Sequence, residues 1–298
     1  HQQSPDIAGA VDTSKERREG VSDNQMDWFQ GAGDQGVMIG YACDETKQLM
    51  PMPVVLANRI VRELSACRQS SYIQGILPDG KVQVTVEYEN GKPVRLDSVV
   101  VSCQHTEDKN LKKLEAEIRK KVLLPALRLL PPDEDTKILI NPSGRFVCGG
   151  MDADTGLTGR KLMVDSYGSM VPHGGGAFSG KDCSKVDRSA AYMARYIAKN
   201  IVAARLASRC QVSLAYAIGV AQPVMVQVDT FGTGKVCADD CLELAIPLVF
   251  GLTPKQIVDS LRLTRPIFRQ TAAFGHFGRK EFPWERTDKV EALRNAVI

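Results

Sequence analysis

A β-hairpin is predicted by the stretch VQVTVEYENGKPVRLDSVVVS, which spans residues 82–102. Apolar and polar side chains alternate over residues 82–88, the pattern of a strand that buries one face. Asn90 and Gly91 form a dipeptide typical of a two-residue hairpin turn, after which the chain returns over residues 94–102. Because only one face of this hairpin is apolar, we expect helices to pack against that face.

Helical patterns flank the hairpin on both sides. Residues 53–64 have helical periodicity with Pro53 near the first position, and a second helical pattern covers residues 111–130. The same order recurs later, with a helix at 190–207, paired strands at 211–218 and 224–231, a helix from about Asp239, and another capped by Thr253 and Pro254. This recurrence predicts an α+β layered architecture with an internal structural repeat.

The first part of the chain has a different character. Residues 1–36 are polar and glycine-rich, with few periodic apolar positions. A loop of this length is uncommon in a compact protein and is often a lid over a functional site. We therefore predict a mobile loop over residues 1–36.

The composition excludes several classes of protein. With 298 residues, of which 43% are hydrophobic and 24% charged, the chain is long enough for two or more packed units. No run of about 20 apolar residues predicts a membrane span, and a net charge of +3 is too balanced to indicate nucleic acid. The eight scattered cysteines predict free thiols in a reducing compartment, and hence a cytoplasmic protein.

A glycine-rich loop, HGGGAFSGKDCSKVDR at residues 173–188, predicts a polyphosphate site. Glycines let backbone N–H groups close around an anion, the lysines supply positive charge, and Asp187 offers a carboxylate to a metal ion. Gly175 to Lys181 match the G-x-x-x-x-G-K pattern of a P-loop, but Asp182 stands where Ser or Thr would ligate magnesium. A flexible surface loop with solvated lysines is the alternative interpretation.

A second candidate segment, residues 141–161, lies just before this loop. Arg145 and Phe146 are candidates for clamping a planar base, Phe146 by stacking, and Asp154 is a candidate hydrogen-bond acceptor. The Arg-Lys pair at 160–161 is a candidate for binding phosphates. Taken singly, each is better explained by a structural role, Phe146 as a core aromatic and the Arg-Lys pair as surface charges. Their closeness to the glycine-rich loop favours a nucleotide site.

These segments resemble the S-adenosylmethionine synthetase (methionine adenosyltransferase) family. The segments that carry the resemblance, in order along the chain, are QSPDI at 3–7, GAGDQG at 31–36, GLTGRK at 156–161, GGGAFSGKD at 174–182 and FGHFGR at 274–279. The resemblance extends from Gln3 to about Glu285, and its motifs are long. It therefore covers nearly the whole chain.

The resemblance implies an α+β fold of three similar sheet-plus-helix domains around a pseudo-threefold axis. The domains are discontinuous in sequence and the third is expected to be incomplete here. The implied parts are a mobile active-site loop at 1–23, a central-type domain at 24–44 with 190–298, a second domain at 45–149, and the remainder of the third, with the phosphate loop, at 150–189. A homodimer or dimer of dimers with active sites at the interface is also implied, without nucleic-acid or membrane partners.

The implied reaction makes S-adenosylmethionine from ATP and L-methionine, with Mg²⁺ and K⁺ as cofactors. The methionine sulfur attacks C5′ of ATP, triphosphate leaves, and it is then hydrolysed to pyrophosphate and phosphate. A thioether has no proton to lose, so the main demand is to stabilise the charge of the leaving group with fixed cations. The family's His-Pro-Asp-Lys segment does not occur in these residues, and we expect activity to need it.

The resemblance also implies which residues form the site. Those that bind ATP are Asp34, Asp79, Lys81, Arg145, Phe146, Asp154, Arg160, Lys161, Ala177 and Lys181. Those that bind methionine are Gln3, Asp154 and Lys185, and the candidate metal ligand is Asp187. The residues expected to act on the leaving triphosphate, and so to be catalytic, are Lys81, Arg160, Lys161 and Lys181.

Two other functions remain open at this point. A P-loop-like kinase or ATPase is favoured by the pattern at 175–181 and opposed by Asp182. It would produce ADP. A noncatalytic, nucleotide-binding regulatory subunit would bind the nucleotide without turnover.

Overall fold

The computed structural model describes residues 4–20 and 30–297. The chain divides into two compact units, of which unit 1 comprises His1–Met50 with Thr158–Ile298 and unit 2 comprises Pro51–Leu157. Within the described ranges, each unit contains one three-stranded sheet with helices. The predicted α+β class is therefore confirmed, and the predicted division into four segments stays a prediction.

The elements alternate along the chain without a long run of one type. The helices are α1 Pro5–Asp12, α2 Lys15–Arg18, α3 Met52–Gln69, α4 Leu111–Ile118, α5 Leu124–Ala126, α6 Leu162–Asp165, α7 Val186–Ala203, α8 Asp239–Val249, α9 Pro254–Ser260 and α10 Val290–Ala296. The strands are β1 Gly36–Cys43, β2 Ile76–Glu89, β3 Lys92–His105, β4 Lys137–Ile140, β5 Arg209–Tyr216 and β6 Met225–Asp229. A π-helical turn, Arg119–Leu123, joins α4 to α5, and short 3₁₀ helices lie at Gly150–Asp152, Phe268–Ala272 and Pro283–Glu285.

Unit 1 is organised around the long helix α7. Its sheet has the order β1-β5-β6 with antiparallel neighbours, and α7 packs against β1 and β5. A Cβ at Gly40 would lie 2.0 Å from the carbonyl carbon of Ala194, so only glycine lets strand and helix approach this closely. This packing buries nearly every residue of α7 and fixes the position of its N-terminal end beside the glycine-rich loop.

Unit 2 contains the predicted hairpin. Strands β2 and β3 pair antiparallel, and β4 adds parallel to β3. Asn90 and Gly91 have φ values of 50° and 74°, as a two-residue hairpin turn with both central residues left-handed requires. Helix α3 packs on β2, and the core contains Leu56, Ile60 and Val99. The order helix, paired strands, helix is thus observed in both units, as predicted.

The loop predicted for residues 1–36 is wrong in part, because α1 and α2 lie within it. The Ser14 hydroxyl caps α2 by accepting the Arg17 N–H at 3.3 Å. The Glu16 carboxylate accepts backbone N–H groups of Ala221 and Gln222 at 2.9 and 3.1 Å. These polar side chains resemble those of a loop in sequence, but they satisfy helix ends and distant backbone donors.

The helix predicted at 111–130 is interrupted and ends early. Helix α4 passes into a π-helical turn, and α5 ends at Ala126. Pro125 lies within this last segment and has no N–H to donate to the preceding turn. The existence of a helix was predicted correctly and its length was not.

Two further expectations concern cysteines and membranes. All eight cysteines are free thiols, as predicted. No single helix in the described ranges is long and apolar enough to cross a membrane, although α8 and α9, bent by 75°, pass that test of length and composition as a pair.

Candidate functional site

The glycine-rich loop ends at Lys185, because α7 begins at Val186, and residues 173–185 pack closely against β1 and the first turn of α7. A Cβ at Gly174 would lie 1.6 Å from the carbonyl oxygen of Val37, and one at Gly176 would lie 2.1 Å from Oδ1 of Asp187. Gly175 has a φ of +95° and donates its N–H to Nδ1 of His173 at 2.8 Å. The glycines are therefore required by packing and by backbone conformation.

Gly174→Ala should lower the free energy of unfolding by about 1–3 kcal/mol, the usual cost of overpacking, because the new methyl meets backbone rather than a movable side chain. Urea denaturation measures this. Gly156→Ala is the matched control: nothing lies within 4 Å of its added Cβ, so its effect should stay within about 0.5 kcal/mol. Equal stabilities of the two variants would show that the loop is not held against β1 as described.

The loop brings a lysine and a carboxylate into direct contact. Nζ of Lys181 lies 2.6 Å from Oδ2 of Asp187, and these side chains are 31% and 14% exposed. Asp187 lies in the first turn of α7, and Lys185 is the residue immediately before that helix. A cation and an anion of the predicted site are therefore adjacent and form an ion pair.

A metal ion was predicted at Asp187. Across residues 4–20 and 30–297, no three His, Cys, Asp or Glu side chains are grouped to hold a metal. Magnesium, however, is commonly held by one or two carboxylates together with substrate phosphates rather than by a cage of protein ligands. Asp187, beside a loop suited to phosphate, fits that mode as a single carboxylate ligand.

The turn before α6 lies against the same loop. Gly159 has a φ of +87°, and a Cβ there would contact the Ala177 side chain at 3.3 Å. Arg160 and Lys161 follow directly and are exposed. The structure therefore brings these two predicted phosphate ligands near Ala177, whose backbone was expected to approach the nucleotide.

Asp34 approaches the loop from the segment that precedes β1. It is exposed, and its Oδ1 accepts the N–H of Gln35 at 2.8 Å. A Cβ at the neighbouring Gly33 would lie 3.9 Å from the carbonyl oxygen of Ser184, the residue before Lys185. The structure thus places Asp34 and Lys185 in the same region of unit 1.

A buried histidine lies below the loop, and sequence reasoning did not assign it a role. His276 is bonded to the Tyr192 hydroxyl at 2.7 Å and to Oγ of Ser179 at 3.4 Å. Burial, together with the charges of Arg188 and Arg279, lowers its pKa to about 3. The imidazole is therefore neutral at physiological pH. Its only sequence signal was its place in the segment FGHFGR, since no partner is near it in sequence.

In unit 2, Asp79 links β2 to the segment around residue 150. Its N–H donates to Oε1 of Gln104 at 3.2 Å, and its Oδ2 accepts the N–H of Gly150 at 2.8 Å. Lys81 is exposed on the same strand, opposite Ser102. Asp79 therefore holds the segment around residue 150 against β2.

The adenosine candidates of unit 2 lie near the end of β3. Phe146 is half-buried, and its N–H donates to Nε2 of His105 at 3.0 Å. Arg145 forms an exposed ion pair with Glu107 at 2.6 Å, and Asp154 is exposed. The predicted residues of unit 2 are thus presented on its surface, and the methionine candidate Gln3 lies outside the described residues.

The P-loop interpretation is not supported by the local structure. No strand leads into Gly175 from residues 158–174, and α7 begins only at Val186, after Lys181. A P-loop needs a strand, the glycine loop and a helix in immediate succession. The match to the G-x-x-x-x-G-K pattern is therefore coincidental.

Comparison with known proteins identifies the family. The chain matches the S-adenosylmethionine synthetase central domain over residues 29–146 and the C-terminal domain of the same family over residues 148–286. Relatives named S-adenosylmethionine synthase include proteins of Desulforudis audaxviator strain MP104C, 56% identical, and Nocardioides sp. strain JS614, also 56% identical. That of Parafrankia sp. strain EAN1pec is 57% identical.

These relatives match nearly the whole chain. Each alignment covers 99% of it, and covers 74% of the Desulforudis protein and 75% of each of the other two. The two domain matches follow each other with a single residue between them. The chain therefore belongs to the S-adenosylmethionine synthetase family, whose members are transferases.

Proposed function

We propose that this protein synthesises S-adenosylmethionine from ATP and L-methionine, with loss of triphosphate and its hydrolysis to pyrophosphate and phosphate. Family membership supports the reaction. The observation that carries it is the glycine-rich loop, where Gly174 and Gly176 lie flush against backbone and Asp187 while Lys181 lies beside them. This packing holds the loop in place, and the partly exposed Lys181 ammonium within it supplies a cation to which an anionic substrate can bind.

The chemistry follows from the charge of the leaving group. The sulfur of methionine attacks C5′ without losing a proton, so no general base is required. Negative charge grows on the departing triphosphate, and we propose that Lys81, Arg160, Lys161 and Lys181 stabilise it. For Lys181 this requires its ammonium to exchange Asp187, now 2.6 Å away, for a phosphate oxygen.

That exchange would leave the Asp187 carboxylate available to a cation. When bound there, Mg²⁺ would neutralise phosphate charge, as it does in other phosphate-transferring sites. We propose Asp187 as the ligand that this chain contributes. The requirement for K⁺ rests on the family resemblance.

The remaining candidates are proposed to bind the substrates. We propose that Arg145, Phe146, Asp79 and Asp34 contact the adenosine and that the Ala177 backbone approaches the nucleotide. Asp154 would bridge the ribose and the methionine amine, with Gln3 and Lys185 at methionine. The exposure of Asp154 leaves its carboxylate accessible to a substrate.

The larger organisation is proposed from the resemblance. It comprises three similar domains around a pseudo-threefold axis and a homodimer, or a dimer of dimers, with active sites at the interface. The resemblance further implies that the segment 1–23, which contains α1 and α2, is the mobile active-site segment. Eight free thiols support a reducing, cytoplasmic location.

Product analysis tests the reaction directly. The purified gene product is incubated with ATP, methionine, Mg²⁺ and K⁺, and the products are identified by mass spectrometry and phosphorus NMR. A sulfonium product with pyrophosphate and phosphate is expected, and omission of methionine is the control for simple ATP hydrolysis. ADP would indicate a kinase or ATPase instead. ATP that binds but stays unchanged would indicate a noncatalytic subunit.

A further inference from the structure

The guanidinium of Arg188 is buried directly beneath the glycine-rich loop. Only 3% of the residue is exposed. One nitrogen, Nη1, donates to the carbonyl oxygen of Lys181 at 2.6 Å, and Nη2 donates to Oγ1 of Thr271 at 2.9 Å. Nε donates to the Tyr192 hydroxyl at 3.0 Å, and the group stacks 3.6 Å from the centre of the Phe268 ring. Each nitrogen of the guanidinium thus donates a hydrogen bond.

The same network reaches a second point of the loop. Because the Tyr192 hydroxyl accepts from Arg188, its own hydrogen is available to Nδ1 of His276, 2.7 Å away. The neutral imidazole then carries its proton on Nε2, which faces Oγ of Ser179 at 3.4 Å. Arg188 therefore holds Lys181 directly and Ser179 through Tyr192 and His276.

The charge of Arg188 has no carboxylate partner among the described residues. Its acceptors are a carbonyl and two hydroxyls, and Asp187 next to it pairs with Lys181 instead. Buried cations are normally paired, because an uncompensated charge away from water is costly. Burial, together with the charges of Arg188 and Arg279, lowers the pKa of the nearby His276. An anion bound in the loop would compensate the charge of Arg188.

We propose that Arg188 is a positioning residue for Lys181 and a fixed positive charge that favours a polyphosphate in the loop. The inference rests on the proposed function. The positioning role and the charge role can be distinguished by substituting Arg188 with residues that keep or lose each property. Both Arg and Lys carry the charge, but only the planar guanidinium holds the Lys181 carbonyl, Tyr192 and Thr271 at once. Substitution by Lys and by Gln therefore distinguishes positioning from charge.

The experiment measures binding of inorganic tripolyphosphate by calorimetry with Mg²⁺ omitted, so that it is not hydrolysed, and kcat and KM for ATP with Mg²⁺ present, in Arg188→Lys and Arg188→Gln. We expect Arg188→Gln to weaken tripolyphosphate binding at least about tenfold, while Arg188→Lys stays within about threefold because it keeps the charge. In both variants kcat should fall about tenfold, since the Lys181 backbone is no longer fixed. Arg265→Gln, which removes an exposed charge from unit 1, is the control and should bind normally.

Several results would overturn the inference. If Arg188→Gln binds tripolyphosphate as tightly as the unsubstituted protein, the charge of Arg188 does not contribute to binding. Equal weakening in both variants shows that only packing was lost. If neither variant folds, Thr271→Val tests positioning with the charge of Arg188 kept. It removes the hydroxyl that accepts from Arg188 and donates to the Phe268 carbonyl, and unchanged kcat would contradict the proposal. If the unsubstituted protein fails to bind tripolyphosphate, the proposed function itself fails, and that outcome is distinct from the others.

Discussion

Lys181→Met is expected to lower turnover about a hundredfold while the fold is preserved, because a well-placed donor to a developing anion contributes about 3 kcal/mol to the transition state. Methionine keeps the length and apolar stem of lysine and removes only the charged end. The lost ion pair with Asp187 is partly exposed, with 31% of the lysine side chain accessible, so we expect a stability cost of about 1 kcal/mol or less. Steady-state kinetics and thermal unfolding of the same preparation measure both effects.

The large loss of turnover and the small loss of stability together indicate that Lys181 acts in the reaction rather than in the fold. A stability loss of about 1 kcal/mol leaves nearly all molecules folded, so it cannot explain a hundredfold loss of turnover. Lys280→Met is the matched control, because Lys280 is an exposed lysine of unit 1 outside the loop. It should retain normal kinetics. Near-normal turnover in Lys181→Met would remove Lys181 from the site, whatever the fate of the other candidates.

Some turns and helix ends were predicted correctly because the residues that determine them lie close together in sequence. Asn90 and Gly91 specified the turn between β2 and β3, since few other residues tolerate two consecutive left-handed positions. Thr253 specified the start of α9: its hydroxyl accepts the Gln256 N–H, and the Gln256 side chain accepts the Thr253 N–H, both at 3.2 Å. These features depend on residues a few positions apart, so the sequence contains all that determines them.

The unpredicted features depend on residues far apart in sequence. Glu16 helps to anchor α2 through backbone groups of Ala221 and Gln222, some 205 positions away, and no short pattern marks such a contact. His276 and Arg188 likewise acquire their environment from segments that meet only in the fold. The glycine-rich loop was recognised from its composition. The residues that hold it in place could be identified only from the structure.

The same limitation applies to Arg195 and Lys199, which resemble exposed charges on a helix but are buried in α7. Oε2 of Glu285 lies 2.8 Å from Nη2 of Arg195 and 2.7 Å from Nζ of Lys199. Its Oε1 accepts from Nε of Arg195 at 3.1 Å and from the N–H of Gly278 at 2.7 Å. One carboxylate therefore compensates two buried cations, and these contacts keep the pKa of Glu285 low despite burial.

Glu285→Gln should consequently reduce the free energy of unfolding by about 3–5 kcal/mol, the cost of leaving buried charge uncompensated. Glutamine is nearly the same size, so the loss is electrostatic, and denaturant unfolding at pH 7 measures it. Glu281→Gln is the control: its carboxylate pairs with Arg279 at 2.8 Å but is 42% exposed. We expect it to cost about 1 kcal/mol or less. Similar losses in the two variants would contradict the role assigned to Glu285.

The pH dependence of Glu285→Gln gives an independent check. Burial lowers the pKa of Lys199, and removing Glu285 removes the attraction that opposes this shift. Folded Lys199 then binds fewer protons than the unfolded chain, so stability rises with pH between its folded and unfolded pKa values. We expect the variant to recover part of its deficit in the free energy of unfolding as the pH is raised above 7.

The acid range reports on Glu285 itself. The free energy of unfolding of the unsubstituted protein should fall once the pH drops below about 4.3, the unfolded pKa of glutamate, and Glu285→Gln should lack this pH-dependent loss. A deficit that stays constant across both ranges would show that the carboxylate stabilises the fold by shape rather than by charge.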